Sequence, residues 1–434
     1  MKILHFFARK VHSTYNFDFD FHRDVTFLVG INGSGKTSAL RLMQATLSMD
    51  VSTLFSIKFS ELSLTIEREG KAYTIRIKNV GNALSFFFNC EDEVRLPLLS
   101  DDERAIYAKN ARLDDHLDET RLLFLRSLPE EARRLINGEK PLFLGLERRT
   151  GRYDDEYSDE DRKLNYRLTL RRENRDGLES CQSLIERAYR QFRRLSDSNN
   201  SRLISVIIGS TFDYIKFEPE SLEASQKSSY LELQELVMRR KELENIAVDL
   251  GGGNTLSDQI DQFFAQITEI FSEETFRRKG HSGFSIELLM NKVQIQRFHK
   301  ILAEMDRQKR IAEKVYAPIR SFVDSMNRFF ENSRKVVEVD SIGRLKIIQS
   351  GESIPLQSLS SGEKQLLILI AHSTFARNKG GVFIVDEPEL SLHLRWQEML
   401  IEELINANKN NQFIFATHSP EIVGFLKNHC VDVG

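Results

Sequence analysis

The first residues of the chain alternate between aromatic and acidic side chains. Phe17, Phe19 and Phe21 are separated by Asp18 and Asp20. Successive side chains of a strand point to opposite faces, so this period of two predicts a strand with one apolar and one solvated face. We therefore expect an antiparallel strand near the N-terminus that covers a core on one side.

The next segment predicts a strand, a glycine-rich loop and a helix in succession. The apolar run Val25–Val29 is the strand, and Leu40, Met43 and Leu47 then recur at helical spacing. Alternating residues on both sides of a Glu69–Lys71 turn predict a β-hairpin. Later strands are predicted at Val336–Val339 and Leu345–Ile348, and buried parallel strands at Val382–Val385 and Phe413–Ala416.

The middle of the chain is charged and helical in pattern. Residues 101–195 predict an arm or lobe, interrupted by the apolar stretch Pro141–Leu146 and the acidic run Asp154–Asp161. Helical periodicity dominates residues 218–333, and the absence of a sustained heptad register favours a short hairpin or bundle over a long coiled coil. Two apolar stripes carry this pattern: Ile260, Phe263, Phe264, Ile267 and Phe271, then Ile311, Val315, Ile319, Phe322, Met326 and Phe329.

Composition narrows the possible function classes. The 434 residues include 61 Lys and Arg against 64 Asp and Glu, a net charge of -3, which excludes a globally basic nucleic-acid coat but allows local basic patches. Cys90, Cys181 and Cys430 are far apart and predict neither a disulfide framework nor a zinc site. Because the chain shows no bilayer-spanning apolar run and no secretory signal, we expect a cytoplasmic protein without a membrane partner.

A phosphate-binding loop is the strongest chemical signal in the sequence. The segment Gly30–Thr37 reads GINGSGKT and satisfies GxxxxGK[ST] between a predicted strand and a predicted helix. Backbone N–H groups of such a loop surround phosphates, Lys36 reaches the β- and γ-phosphates, and the Thr37 hydroxyl is offered to Mg²⁺. A glycine-rich turn with an unrelated lysine is the alternative. The candidate nucleotide-binding residues are Asn32, Gly33, Ser34, Gly35, Lys36, Thr37 and Ser38.

Two adjacent carboxylates follow a buried strand. The run Val382–Val385 leads directly into Asp386 and Glu387, at the strand end where parallel sheets bind their ligands. We expect Asp386 to hold Mg²⁺, directly or through water, and Glu387 to polarise the water that attacks the γ-phosphate. An Asp-Glu pair at a strand end is common by chance, so the assignment of these two roles depends on the presence of the phosphate loop in the same chain.

Two helix starts also carry polar groups. The segment Leu359–Gln365 reads LSSGEKQ and opens an apolar helix. Ser360 or Ser361 is simply an N-cap when taken alone, although a helix N-terminus with hydroxyls and a glycine is also an anion site. The strand Phe413–Ala416 is followed by the sequence THSP, in which the His418 imidazole could hydrogen-bond a γ-phosphate, while an isolated histidine is usually structural.

Together and in this order, the four motifs resemble those of the ABC-type ATPases, in particular the RecF, structural-maintenance-of-chromosomes (SMC) and OLD branch. The resemblance implies an α/β fold: an ABC-type P-loop ATPase head with a mixed sheet, an antiparallel β subdomain and an inserted helical hairpin or bundle. ATP and Mg²⁺ are the implied cofactors. The implied domains are residues 1–215 for the N-terminal half of the head with the charged arm, 216–334 for the helical insertion, and 335–434 for the C-terminal half.

The resemblance also implies a head-to-head homodimer, or a higher homo-oligomer, with two nucleotides between the heads. The segment Leu359–Gln365 would be the signature motif of the family. Lys36 of one subunit and the signature motif of the other would bind each nucleotide, so that neither site is complete in one chain. Glu387 would be the catalytic glutamate and His418 the switch histidine. The signature candidates are Ser360, Ser361, Gly362 and Glu363, and the metal ligands are Thr37 and Asp386.

Departures from the commonest motifs of the ABC-type ATPases indicate which branch of the family the chain resembles. Ser361 stands where the signature usually has glycine and Glu363 where it often has glutamine, a drift that the RecF-like branch tolerates. His393, in the SLH element after the acidic strand end, replaces the aspartate of transporter heads, which disfavours a transporter subunit. The metal-contacting glutamine of the family is unassigned, and the stretch Leu144–Arg149 is a candidate region without a glutamine.

Two functions remain open. The chain ends soon after His418, which leaves no room for the TOPRIM nuclease domain of OLD proteins, so a nuclease effector is expected on a separate polypeptide. Stand-alone ATPases of this architecture resemble subunits of anti-phage systems such as PARIS and Septu, which implies an ATP-driven sensor or scaffold. The alternative is a DNA-stimulated ATPase of repair or recombination. In that case DNA would bind two clusters of basic residues, and the alternative is that these residues form only a solvated, charged helix face. The clusters are Arg148, Arg149 and Arg152, and Arg187, Arg190, Arg193 and Arg194.

Overall fold

The protein is represented by a computed structural model, which describes two compact units. The described residues are 1–81, 83–89, 93–97, 120, 121, 123–136, 141–145, 177–212, 235–249, 258–266, 268, 269, 286–375 and 381–433. The first unit comprises residues 1–189 and 318–434, and the second comprises residues 190–317. All strands of the described part belong to the first unit, which therefore carries the predicted chemistry.

An antiparallel sheet has six strands: β1 (Lys2–Val11), β2 (Tyr15–Asp20), β4 (Glu61–Arg68), β5 (Lys71–Val80), β6 (Ala83–Phe88) and β7 (Val94–Pro97). Their order is β2-β1-β4-β5-β6-β7. On β2, Phe17 and Phe19 are buried while Asp18 and Asp20 are exposed, as the alternation predicts. The predicted hairpin is the antiparallel pair β4 and β5.

A parallel sheet has five strands: β3 (Val25–Val29), β8 (Leu142–Leu144), β12 (Val382–Asp386), β13 (Gln412–Thr417) and β14 (Cys430–Asp432). Their order is β14-β3-β13-β12-β8, and every neighbouring pair is parallel. β12 and β13 are buried along their whole length, as their apolar runs predict. Because β3, β13 and β12 are neighbours, their carboxyl ends meet at one edge of the sheet.

The apolar stretch Pro141–Leu146, which the sequence predicts to interrupt the charged segment, forms a strand of the parallel sheet where the structure describes it. Leu142–Leu144 is the edge strand β8 and pairs with β12 from Phe383 to Val385. A strand of three apolar residues is too short to show a period, and highly charged segments surround it, so tertiary pairing decides its conformation. Most of the predicted arm, including Asp154–Asp161, lies outside the described residues.

The helices with defined bounds are α1 (Lys36–Ser48), α2 (Val51–Ser56), α3 (Glu130–Ile136), α4 (Gly177–Phe212), α5 (Arg240–Asp249), α6 (Ile286–Phe330), α7 (Ser361–Phe375), α8 (Leu394–Ala407) and α9 (Pro420–Val423). One apolar core joins α1 and the antiparallel sheet to the face of the parallel sheet that contains Ile384 and Ile414. A second core packs α7 and α8 against the opposite face, which contains Phe383 and Phe415. The parallel sheet is therefore covered on both faces, as a parallel sheet requires.

A small antiparallel sheet connects the end of α6 to α7. Its strands are β9 (Lys335–Val339), β10 (Leu345–Gln349) and β11 (Glu352–Ile354), in the order β11-β10-β9. β9 and β10 agree with the two strands that the sequence predicts here. The chain then forms one turn of 3₁₀ helix at Leu356–Ser358 and enters α7 at the signature.

The boundaries of the two units fall inside helices, at residues 189/190 of α4 and 317/318 of α6. The sequence predicts domain limits at 216 and 334, and a continuous helix gives no loop or composition change at the boundaries of these compact units. The second apolar stripe is divided accordingly: Ile319, Phe322, Met326 and Phe329 are buried in the first unit, whereas Ile311 in the second is 36% exposed.

The second unit has a small core of its own. Phe264 of the first predicted stripe is buried there with Leu236, Leu243, Ile295 and Leu302. Ile260 and Phe263 pack against this cluster, while Ile267 and Phe271 lie outside the described residues. Within the described chain, none of the helices is both long and apolar enough to cross a membrane.

Candidate functional site

The phosphate-binding loop joins β3 to α1 at the carboxyl edge of the parallel sheet. Gly33 and Gly35 have φ angles of 86° and 92°, a region that glycine adopts without steric cost. A Cβ on Gly35 would lie 2.8 Å from the Phe17 ring, and one on Gly30 would lie 2.3 Å from the Val433 carbonyl oxygen. Side chains at these positions would therefore block the path of the loop.

The Lys36 side chain is buried and lies along this loop. Its Nζ donates hydrogen bonds to the carbonyl oxygens of Gly30 at 2.7 Å and Ile31 at 3.0 Å. The Tyr15 hydroxyl donates to the carbonyl oxygen of Gly33 at 2.7 Å, a contact from β2 that no sequence motif signals. An ammonium group held beside a helix N-terminus suits the loop to binding phosphate.

The other loop residues predicted to bind nucleotide differ in exposure. Asn32 is exposed and Ser34 is buried. Ser38 is half-buried on the first turn of α1, and its hydroxyl shares a 3.1 Å hydrogen bond with Nε2 of His12. His12 lies in the turn between β1 and β2, so the antiparallel sheet contacts α1 next to the phosphate-binding residues.

The two predicted metal ligands are in direct contact. Asp386 ends β12 and is fully buried, and the Thr37 hydroxyl donates a 2.8 Å hydrogen bond to its Oδ2. The two residues lie 349 positions apart in the chain. A hydroxyl and a carboxylate are hard oxygen donors of the kind that Mg²⁺ takes, so this donor set fits a magnesium ion bound with nucleotide phosphates.

Glu387 follows the buried carboxylate in an unusual backbone conformation. Its φ is 49°, in the left-handed region that residues with a Cβ adopt at a steric cost, often at functional sites. The Glu387 N–H donates a 2.8 Å hydrogen bond to the carbonyl oxygen of Ala416, which holds the turn against β13. The side chain is half-buried at the sheet edge beside Asp386.

A buried glutamate joins the loop after β12 to the loop after β13. Oε1 of Glu389 accepts hydrogen bonds from the Thr417 hydroxyl at 2.7 Å and the His418 N–H at 2.9 Å, and Nδ1 of His418 lies 3.2 Å away. The His418 side chain remains 47% exposed, so its ring can also face a ligand. None of the sequence motifs indicates this connecting role of Glu389.

The signature starts α7 with a capping box. The Glu363 N–H donates to the Ser360 hydroxyl at 3.3 Å, and the Ser360 N–H donates to Oε2 of Glu363 at 2.8 Å. Lys335 of β9 donates to both oxygens of Glu363 at 2.8 and 2.9 Å, and both side chains are largely buried. Glu363 therefore positions the start of the helix, whereas Ser360 and Ser361 are exposed to a ligand.

Gly362 lies against the backbone of the loop after β12. A Cβ there would be 2.4 Å from the Ser391 carbonyl oxygen and 3.5 Å from the Trp396 ring. One turn further on, the Gln365 side chain donates a 2.9 Å hydrogen bond to the Pro388 carbonyl oxygen. The signature helix is therefore coupled directly to the segment that follows Asp386, and Gly362 makes this approach possible.

The Glu363 carboxylate makes stability at this helix dependent on pH. Burial on its own raises the pKa of Glu363, but hydrogen bonds from Lys335 and Ser360 outweigh it, so the pKa lies below its ordinary value of 4.5. The stabilisation is complete above the unfolded-state pKa and is lost as pH falls through the folded-state pKa. We expect E363Q to be about 3 kcal/mol less stable at pH 7, since it leaves the Lys335 charge unpaired.

Urea unfolding of E363Q and wild type at pH 7 and below pH 4 measures this effect. The difference in unfolding free energy should shrink at the lower pH. The matched control is E338Q, an exposed glutamate on β9, which should stay close to wild type at both pH values. A difference between E363Q and wild type that is the same at both pH values would contradict the assignment.

The structure brings most of the predicted residues to one edge. The phosphate loop, Asp386, Glu387 and His418 all follow carboxyl ends of neighbouring strands. The signature is arranged differently: among the described residues, no hydrogen bond of Ser360 or Glu363 reaches the phosphate loop. Of the candidate glutamine region, residue 144 ends β8 beside β12 and residue 145 follows it, whereas residues 146–149 lie outside the described chain.

A parallel sheet with this loop, acidic strand end and signature helix is the head of an ABC-type P-loop ATPase. The chain belongs to the AAA_15 family, described as an AAA ATPase domain, whose profile matches residues 12–423. This match, together with a relative named as a probable ATPase, confirms the resemblance to ATPases that the motifs indicate.

Relatives such as the following two match parts of the chain. The "Retron Vc95 probable ATPase" of Vibrio cholerae serotype O1 biovar El Tor is 35% identical over 92 residues, which cover 18% of this chain and 18% of that protein. Endonuclease GajA of Bacillus cereus (strain VD045) is 26% identical over 184 residues, or 40% of this chain and 30% of that protein. The matches thus span less than a third of each relative.

Among solved structures, one similar chain is the SMC head domain of Pyrococcus furiosus, with an extended coiled coil and bound to the C-terminal domain of ScpA. It is 13% identical, with a TM-score of 0.41, and the alignment covers 99% of this chain and 93% of that one.

Proposed function

We propose that this protein binds and hydrolyses ATP with Mg²⁺ and acts as a nucleotide-driven sensor or scaffold that controls a separate effector in anti-phage defence. The hydrogen bond between Thr37 and Asp386 carries the proposal of hydrolysis. It joins the phosphate loop to the strand end where Glu387 follows, so the groups that bind the metal and activate water are adjacent.

Each residue at the edge has a role in this proposal. Lys36 and the backbone N–H groups of the loop bind the phosphates, and Thr37 and Asp386 hold Mg²⁺, which neutralises phosphate charge. Glu387 orients and polarises the attacking water. His418 donates a hydrogen bond to the γ-phosphate, and Glu389 fixes the position of that histidine through the contacts with its N–H and Nδ1.

The nucleotide site is completed by a second subunit in this proposal. Ser360 and Ser361 are exposed at the start of α7, where hydroxyls and a helix N-terminus favour an anion. Their helix is coupled to the segment after Asp386 through Gly362 and Gln365. Binding of a nucleotide between two heads would therefore move both motifs together and shift the population of a closed dimer.

The relatives support the defence role and the separate effector. One relative is named as a retron ATPase and another as an endonuclease. We propose a nuclease as the partner that this ATPase holds or releases. Nucleotide binding and hydrolysis would then set the time for which the effector is restrained.

A DNA-stimulated ATPase of repair or recombination is the second candidate. Arg190, Arg193 and Arg194 are exposed on α4, and Arg187 is half-buried one turn earlier. A helix face with this spacing can follow a phosphate backbone. The cluster Arg148, Arg149 and Arg152 lies outside the described residues.

Steady-state ATPase activity with and without duplex DNA, at about 50 and 200 mM salt, separates the two functions. Under our proposal, hydrolysis is unaffected by DNA. Strong stimulation that falls with salt and is lost in R190A/R193A/R194A would instead establish the second function. R133A/R134A on α3 is the matched control, because these exposed arginines lie on another helix.

Trp396 should report closure of the heads. It is the one tryptophan of the chain, its Nε1 donates to the Phe329 carbonyl oxygen at 3.1 Å, and it lies beside Gly362. We expect its emission to change when ATP and Mg²⁺ are added to wild type. K36A, which lacks the phosphate-binding ammonium, should show no change, and an unchanged spectrum of the wild type would contradict closure at this helix.

A further inference from the structure

A cluster of two histidines and one aspartate lies away from the nucleotide site. The ligand atoms of His22, Asp24 and His429 are all within 4.8 Å of one another, and the two imidazole rings have centroids 4.6 Å apart. His22 and Asp24 precede β3, and His429 precedes β14, its parallel neighbour. The cluster therefore lies at the amino ends of these strands, opposite the edge that carries the phosphate loop.

The backbone holds these side chains in place. The His22 N–H donates to the Thr26 hydroxyl at 2.9 Å, and its carbonyl oxygen accepts from the buried Gln412 side chain at 2.8 Å. Oδ1 of Asp24 accepts from the Val25 N–H at 2.8 Å, while Oδ2 faces Nε2 of His429. The hydrogen bonds that position His22 and Asp24 thus involve neither the His22 ring nor Oδ2 of Asp24.

The spacing suits a bridging cation better than direct hydrogen bonds. Oδ2 of Asp24 and Nε2 of His429 are 3.7 Å apart, beyond the usual range for a hydrogen bond. Tetrahedral ligands at bond lengths of about 2.0–2.2 Å are separated by about 3.3–3.6 Å, so small side-chain movements would bring these atoms into range. Nδ1 of His429 is buried and has no hydrogen-bond partner among the described residues, so such bonds do not explain the ring position.

Neighbouring cations do not occupy the cluster. The Arg23 guanidinium pairs with Glu67 at 2.5 Å, and Nζ of Lys2 donates to the Asn410 carbonyl oxygen at 2.7 Å. Lys2 lies in the field of Asp24, yet each of the two cations has a partner elsewhere. The carboxylate is therefore available to a ligand that the two imidazoles can share.

We propose that His22, Asp24 and His429 bind a divalent transition-metal cation of the zinc class. Two imidazoles and one carboxylate suit zinc, cobalt or nickel, whereas magnesium and calcium prefer oxygen donors. Because the cluster is partly exposed, water completes the coordination. The cation joins the segment that enters β3 to the C-terminal strand β14 and stabilises their pairing.

Cobalt titration of the chelator-treated full-length chain, without nucleotide, tests this site through visible ligand-field absorption. We expect one Co²⁺ per chain, displaced by Zn²⁺, with H22A and H429A each weakening binding at least about tenfold. H5A is the matched control, since His5 pairs with Asp18 at 2.7 Å but is not part of a three-ligand cluster. D386N should also retain the site.

Two further measurements distinguish a loss of metal binding from misfolding of the variants. Zn²⁺ should raise the unfolding temperature of wild type and H5A but not of H22A/H429A, whose metal-free circular dichroism should match wild type. X-ray absorption of the wild-type zinc adduct should show two imidazole ligands. Equal binding by wild type and H22A/H429A, loss of binding in D386N alone, or a zinc adduct without imidazole would each overturn the proposal.

Discussion

E387Q should bind ATP normally yet hydrolyse it about 10²–10³-fold more slowly than wild type. Glutamine keeps the size of the side chain but cannot accept a proton from the attacking water. Glu387 has a left-handed φ of 49° next to Asp386, a backbone conformation that the substitution by glutamine leaves in place. The variant should therefore keep the site geometry and accumulate in the ATP-bound, associated state.

Single-turnover hydrolysis and analytical ultracentrifugation with ATP and Mg²⁺ measure the two consequences. E398Q, the same change at an exposed position of α8, should behave as wild type. D386N should differ from E387Q by losing metal-dependent binding, because it removes the carboxylate that contacts Thr37. Rapid turnover by E387Q would show that another group activates water.

Local motifs made much of this site predictable. The phosphate loop lies within eight consecutive residues between a strand and a helix, and Asp386 directly follows a buried apolar run. In both cases the chemistry follows from neighbours in the chain. Thr37 and Asp386 were both assigned to Mg²⁺ from their motifs, whereas their contact depends on the strand order β3-β13-β12, which places β3 and β12 on either side of β13.

Residues whose roles depend on distant partners were less predictable. Glu363 belongs to a motif that resembles a nucleotide-binding signature, but its carboxylate is engaged by Lys335 and by the helix start. Nothing in the neighbourhood of either residue in the sequence signals this pairing. Glu389 is similar, since its role requires Thr417 and His418 from the next strand, and a lone glutamate after an acidic strand end has no distinctive pattern.

The cluster of His22, Asp24 and His429 could not be predicted from the sequence either. His22 and Asp24 stand near the start of the chain and His429 near its end, so no spacing rule for metal ligands links them. Parallel pairing of β3 with β14 brings the three together. Sites formed by strand order become visible only when the sheet is known.

Complementation between two inactive variants tests whether the site is shared between subunits. K36A removes the phosphate-binding ammonium, and S360R places a bulky side chain at the exposed start of α7. Each variant alone should have negligible ATPase activity. After subunit exchange at equal amounts, half of the dimers are mixed and each has one site with intact Lys36 and Ser360, so we expect up to about a quarter of wild-type activity.

The pair K36A and E387Q supplies the matched control, because Lys36 follows β3 and Glu387 follows β12 at the same edge of one sheet in one subunit. In their mixed dimer each site contains one of the two lesions, so no activity should return. Recovery with K36A and S360R but not with K36A and E387Q would require a signature that acts across the interface. If neither mixture recovers although mixed dimers are detected, Ser360 does not complete the partner's site, and the exposed serines serve only as the cap of α7.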